Sequence, residues 1–77
     1  MILTIKYFGM LAEITECTKE TITFSEDTVS ELLKMLIAKY PALEKKEFQV
    51  AQNQTLVSED TQILNSEIVL LPPFAGG

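Results

Sequence analysis

Between residues 29 and 40 the sequence carries one amphipathic stripe: Val29, Leu32, Leu33, Leu36, Ile37 and Tyr40 recur at intervals of three and four. That spacing lines a single face of an α-helix. Both ends of the helix are written locally. Thr28 precedes Glu31 by three residues, the capping-box spacing in which each side chain satisfies an unpaired backbone N–H of the first turn. Pro41 cannot continue the helix and disfavours helical geometry at Tyr40. A helix with one apolar face must bury it, and the segments around this one are β-formers.

Ile2 to Phe8 alternates, with Leu3, Ile5 and Tyr7 on one face and Thr4, Lys6 and Phe8 on the other, which predicts a half-buried strand. Gly9 breaks it, and Met10 to Thr18 reads as a loop or short helical turn. A second strand is expected at Glu20 to Phe24, antiparallel to the first, with Ile22 and Phe24 sharing a face. After the helix come a polar loop at Pro41 to Glu47, an apolar run at Phe48 to Ala51, a turn at Asn53 and Gln54, and a short extended piece at Leu56 and Val57. Ser58 to Ser66 reads as an irregular connection held by Ile63 and Leu64 pointing inward. Glu67 to Leu71 is a near-continuous β-branched and leucine run, suited to a central strand. This order implies an α+β fold: a mixed sheet with one main helix across one face and the first and last strands pairing in parallel. That layout is the β-grasp, or ubiquitin-like, fold. Residues 1–71 are expected to form this domain and residues 72–77 an extended C-terminal Gly-Gly tail.

Composition narrows the function. A chain of 77 residues makes one small domain that buries only about 60% of its unfolded surface, so an enclosed active site is not expected. Eleven acidic residues against six basic ones give a net charge of −5, which repels phosphate backbones and anionic lipid. Nucleic acid and membrane are therefore not expected partners. With no histidine and a single cysteine, the usual zinc and iron ligand sets and Cys-His or Ser-His catalytic pairs are missing, and no metal site is expected. The lone Cys17 makes no internal disulfide, and Lys6 interrupts the apolar start before any signal-peptide pattern develops. A reducing, cytoplasmic setting is the expectation. Cys17 is flanked by Glu16 and Glu20 with only Lys19 opposing, a poor setting for a reactive thiolate.

The closing residues are Pro72, Pro73, Phe74, Ala75, Gly76 and Gly77. Two prolines lack N–H donors and favour an extended polyproline-type backbone, so the chain is expected to leave the sheet. Six extended residues reach roughly 20 Å. Two terminal glycines present no side chain, which suits threading a narrow channel. A frayed end is the plain alternative, but with glycine at about 7% of residues a terminal pair arises by chance in only roughly 0.5% of chains. Such an end can carry its own α-carboxylate into another protein's active site. A carboxylate is a poor electrophile and needs activation, most simply by ATP to an acyl-adenylate. Attack by an amine then gives protein conjugation, and attack by a persulfide sulfur leads to a C-terminal thiocarboxylate. Both routes use the same bare tail.

The run Asn53-Gln54-Thr55-Leu56-Val57-Ser58, the ending Glu67-Ile68-Val69-Leu70-Leu71-Pro72-Pro73-Phe74-Ala75-Gly76-Gly77 and the early Tyr7-Phe8-Gly9 together resemble the small subunit of molybdopterin synthase. This is the MoaD family of ubiquitin-like sulfur carriers in molybdenum cofactor biosynthesis, and nearly the whole chain is covered. The resemblance implies that Gly77, preceded by Gly76, is adenylated by an E1-like enzyme that uses ATP. Gly77 is then converted to a thiocarboxylate with sulfur from a persulfide-bearing protein. It also implies insertion into the large synthase subunit, in a heterotetramer, where sulfur passes to cyclic pyranopterin monophosphate to build the dithiolene. The large subunit supplies the catalytic side chains, and no cofactor is bound by the chain itself. Thiazole-pathway sulfur carriers and ubiquitin-like protein modifiers are the alternatives. Many members of the family carry arginine before the glutamate of the first loop, where this chain has Ala12 before Glu13, so that arginine's contact has no counterpart in the sequence.

If Leu3, Ile5 and Tyr7 face the helix, Phe8 lies on the opposite sheet face with Val69 and Leu71, forming an apolar patch beside the tail. Coverage by the protein's own loops is the competing expectation. Pro72, Pro73, Phe74 and Ala75 extend the expected partner-binding stretch, Phe74 because an aromatic in a protruding tail sits in water unless a partner accepts it.

Overall fold

The computed structural model describes residues 1–64 and 66–73. It is an α+β fold with the five strands in one mixed sheet, ordered β2-β1-β5-β3-β4, and the helices packed on one face. Strand β1 (Ile2–Tyr7) pairs antiparallel with β2 (Lys19–Thr23) and parallel with β5 (Glu67–Leu71). Strand β5 also pairs antiparallel with β3 (Gln49–Gln52), which carries β4 (Thr55–Val57) at its far edge. The last strand is therefore the middle of the sheet, as its two-sided apolar run anticipates.

Helix α2 (Val29–Lys39) has the reciprocal cap: the Glu31 N–H donates to Thr28 Oγ1 at 3.3 Å and the Thr28 N–H donates to Glu31 Oε1 at 3.1 Å. Val29, Leu32, Leu33 and Leu36 are buried against Leu3, Ile5, Tyr7, Ile68 and Leu70, the inward residues of β1 and β5. Ile37 and Tyr40 pack at the margin of this core. No helix among the described residues is long and apolar enough to cross a membrane.

Of the loop and the short helical turn expected after Gly9, the helical form is found: Met10–Thr15 is a six-residue helix, α1, with Leu11 buried. Other local expectations are corrected. The segment expected as a polar loop contains a 3-10 turn, Pro41–Lys45, whose Leu43 is a core residue at 1% exposure. Of the two expected inward anchors, Ile63 is buried but Leu64 is 77% exposed. Gln52 replaces it as the fastener of this connection: its Nε2 donates to the Gln62 carbonyl at 3.1 Å and its Oε1 accepts from the Leu64 N–H at 2.7 Å. The β3–β4 turn uses positive φ at both Asn53 (55°) and Gln54 (62°), the backbone of a tight primed hairpin turn made without glycine.

Candidate functional site

The site is built where β5 ends. Since paired residues share a sheet face, the β1–β5 register sets Lys6 beside Val69 and ends with Tyr7 beside Leu70, and its continuation by one residue brings Phe8 beside Leu71. The Phe8 N–H donates to the Leu70 carbonyl at 3.1 Å, which carries the ladder one residue past the strand. Phe8, Val69 and Leu71 thus meet on the face turned away from α2. Phe8 is 49% exposed, and Val69 and Leu71 are half-buried. The register continues outward from Val69 to Ala51 and from Ala51 to Leu56, and Leu56 is 56% exposed. Leu56 extends the apolar row across the sheet. Sequence reasoning missed it, although alternation from the inward Val57 contained the signal. At the other end of this face Lys6 and Glu67 form an ion pair of 3.2 Å, both about half-exposed.

Pro72 has left the ladder, and Pro73 lies in a turn. Both are half-buried. The ring of Pro72 packs toward Gly9, and Met10, 53% exposed, stands on the neighbouring turn. Together with Leu11, Lys46 and Glu47, Met10 and the two prolines line an open notch of about 240 Å³. Phe74, Ala75, Gly76 and Gly77 lie outside the described residues.

On the helix side of the sheet, one carboxylate ties three elements together. Glu20 on β2 accepts hydrogen bonds from Tyr7 Oη at 2.5 Å, Tyr40 Oη at 2.7 Å and Lys39 Nζ at 2.6 Å. Burial by itself raises the Glu20 pKa, but the hydrogen bonds from Lys39, Tyr7 and Tyr40 outweigh it and hold the carboxyl below its usual range. Burial, followed by the hydrogen bond to Glu20, drives the Tyr7 phenol far above its ordinary value and pushes Tyr40 up to about 12. These groups are locked in one protonation state at neutral pH and serve the fold. Cys17 is half-buried, and its Sγ lies 3.7 Å from Thr15 Oγ1.

A small β-grasp body whose central strand runs into a proline root beside an open apolar face defines a ubiquitin-like carrier class. The chain belongs to the ThiS family, whose model matches residues 5–77, and so to the superfamily of small β-grasp sulfur carriers. Among solved structures it is similar to a Pyrococcus furiosus chain described as a molybdopterin converting factor, subunit 1 (TM-score 0.87, 17% identity, 96% of this chain and 99% of that one). It is also similar to SAMP1 from Haloferax volcanii (TM-score 0.81, 25% identity, all of both chains). A third is the small archaeal modifier protein 1 from Methanosarcina acetivorans (TM-score 0.74, 25% identity, 99% and 96%). At 17% identity the first likeness concerns the fold alone. The comparisons therefore favour the carrier and modifier alternatives over the molybdopterin-specific reading.

Proposed function

We propose that residues 72–77 form a tail that presents the Gly77 carboxylate for activation, and that the chain works as a non-catalytic sulfur carrier. The observation that supports this most is that the ThiS-family match runs through Gly76 and Gly77 to the last residue. The carboxylate oxygen attacks the α-phosphorus of ATP on an E1-like enzyme, and pyrophosphate leaves. A persulfide sulfur from a donor protein then attacks the acyl carbon and displaces AMP. A thiol cleaves the resulting acyl disulfide, forming a new disulfide and leaving the C-terminal thiocarboxylate. Phe8, Val69, Leu71 and Leu56 offer the docking face for these partners, and Pro72 to Ala75 the stretch that enters them.

Two destinations for the activated end differ in chemistry. The sequence run at Asn53 to Ser58 with the Pro-Pro and Gly-Gly ending supports sulfur delivery to the large subunit of molybdopterin synthase. The two modifier structures at 25% identity support transfer to lysine amines of other proteins. Intact mass spectrometry after co-expression with the activating enzyme separates them: an oxygen-to-sulfur exchange at Gly77 supports the carrier, and isopeptide adducts the modifier. Deleting Gly77 should abolish either product without changing thermal stability, and a truncated chain that retains full activity would refute the scheme.

A further inference from the structure

Gly9 sits between β1 and α1 with φ 61° and ψ −138°, a region open to glycine and strained for other residues. A second, independent constraint falls on the same atom. A methyl group built on its Cα would stand 2.9 Å from Cγ of Pro72, well inside van der Waals contact. The proline ring at the tail root therefore occupies the space that a side chain at position 9 would take. Gly9 cannot easily move aside: the Phe8 N–H is held by the Leu70 carbonyl, and the Gly9 carbonyl accepts from the Ala12 N–H at 3.1 Å. On the neighbouring turn Met10 and Leu11 border the notch that Pro72 and Pro73 close.

We propose that Gly9 is a positioning residue for the C-terminal carboxylate. Its bare Cα lets Pro72 seat against the β1–α1 turn, and this contact sets the direction in which the chain leaves β5. The inference rests on the reading that Gly77 is activated by another enzyme. Any side chain at position 9 pushes the Pro72 ring outward and turns the chain where it leaves β5, while the docking face stays in place. Misdirection lowers kcat for adenylation and leaves KM nearly unchanged. A merely destabilised fold does the reverse, since it reduces the amount of competent carrier and raises the apparent KM.

The test is ATP–pyrophosphate exchange by the activating enzyme with the full chain as Gly9→Ala, Pro72→Ala and the double variant, alongside thermal unfolding of each. With Pro72 in place, Gly9→Ala should lower kcat by about 10- to 100-fold, in line with the cost of misplacing a reacting group. In the Pro72→Ala background, where the opposing ring is gone, the same change should cost less than about threefold relative to Pro72→Ala alone. Equal losses in both backgrounds, or no loss in either, would overturn the proposal. If Gly9→Ala fails to fold, Pro72→Ala alone carries the test: loss of the ring should lower kcat for adenylation with KM nearly unchanged, and an unchanged kcat overturns the proposal. Should the unaltered chain not be adenylated, the carboxylate-activation reading fails and takes this one with it. If the unaltered chain and Gly9→Ala react alike, only this inference falls.

Discussion

The two faces of strand β5 are built from adjacent residues and have opposite fates. Ile68 and Leu70 point toward α2 and are fully buried, whereas Val69 and Leu71 point away and are half-open. Strand β1 repeats the division, with Leu3, Ile5 and Tyr7 inside and the 49% exposed Phe8 outside. One face stabilises the domain and the other offers apolar surface that the domain does not cover. An apolar row left open beside the proline root suits docking, because a partner that covers it gains the burial the fold has forgone.

Truncating neighbours on the two faces puts this contrast at greatest risk. Leu70→Ala should cost about 2–5 kcal/mol, as for large-to-small changes in a sealed core. Leu71→Ala should cost less than about 1 kcal/mol, since its side chain is already half in water. Urea denaturation of the two variants reads the difference, and equal losses would show that the outer face is core after all.

The helix-side carboxylate comes next. Glu20→Ala should cost about 1–3 kcal/mol by leaving the buried Tyr7 hydroxyl without its acceptor. Because the folded carboxyl lies below its ordinary value of 4.5, its contribution is fully present above that pH and is lost as pH falls through the lowered folded value. The raised phenols act in the other direction: their contribution is complete below their ordinary value of 10.0 and disappears as pH rises toward about 12 at Tyr40. Unfolding midpoints across pH should therefore plateau between these limits, and the acid limb should flatten in Glu20→Ala. Thr28→Ala, which removes the α2 cap, should cost about 1 kcal/mol and leave partner binding unchanged. Leu71→Glu should cost about 1 kcal/mol, no more than a half-buried side chain contributes. That change should nonetheless weaken capture by the activating enzyme in a pull-down, and full retention of binding would remove the outer face from the docking surface.

What could be read from the residues alone follows the range of the interactions involved. The α2 cap, its stop at Pro41, the alternation of β1 and the strand character of β5 depend on neighbours within a few positions, so local pattern was enough. Helix α1 could not be told from a loop because six residues hold less than two helical turns. Leu43 in the expected polar loop is buried and the expected anchor Leu64 is exposed, because burial in irregular segments depends on where the chain is carried, not on composition. At the site, the meeting of Phe8, Val69 and Leu71 on one face followed from period-two alternation, while Leu56 joined the row only through the β3–β4 register.

An α+β grasp fold was already legible in the order of the residues, because periodicity and capping act along the chain. The gathering of Tyr7, Tyr40 and Lys39 around Glu20, and the filling of the space above Gly9 by Pro72, emerged only once the chain was folded. Those contacts join segments far apart in sequence, and such partners are fixed by sheet register and packing, which no local pattern encodes.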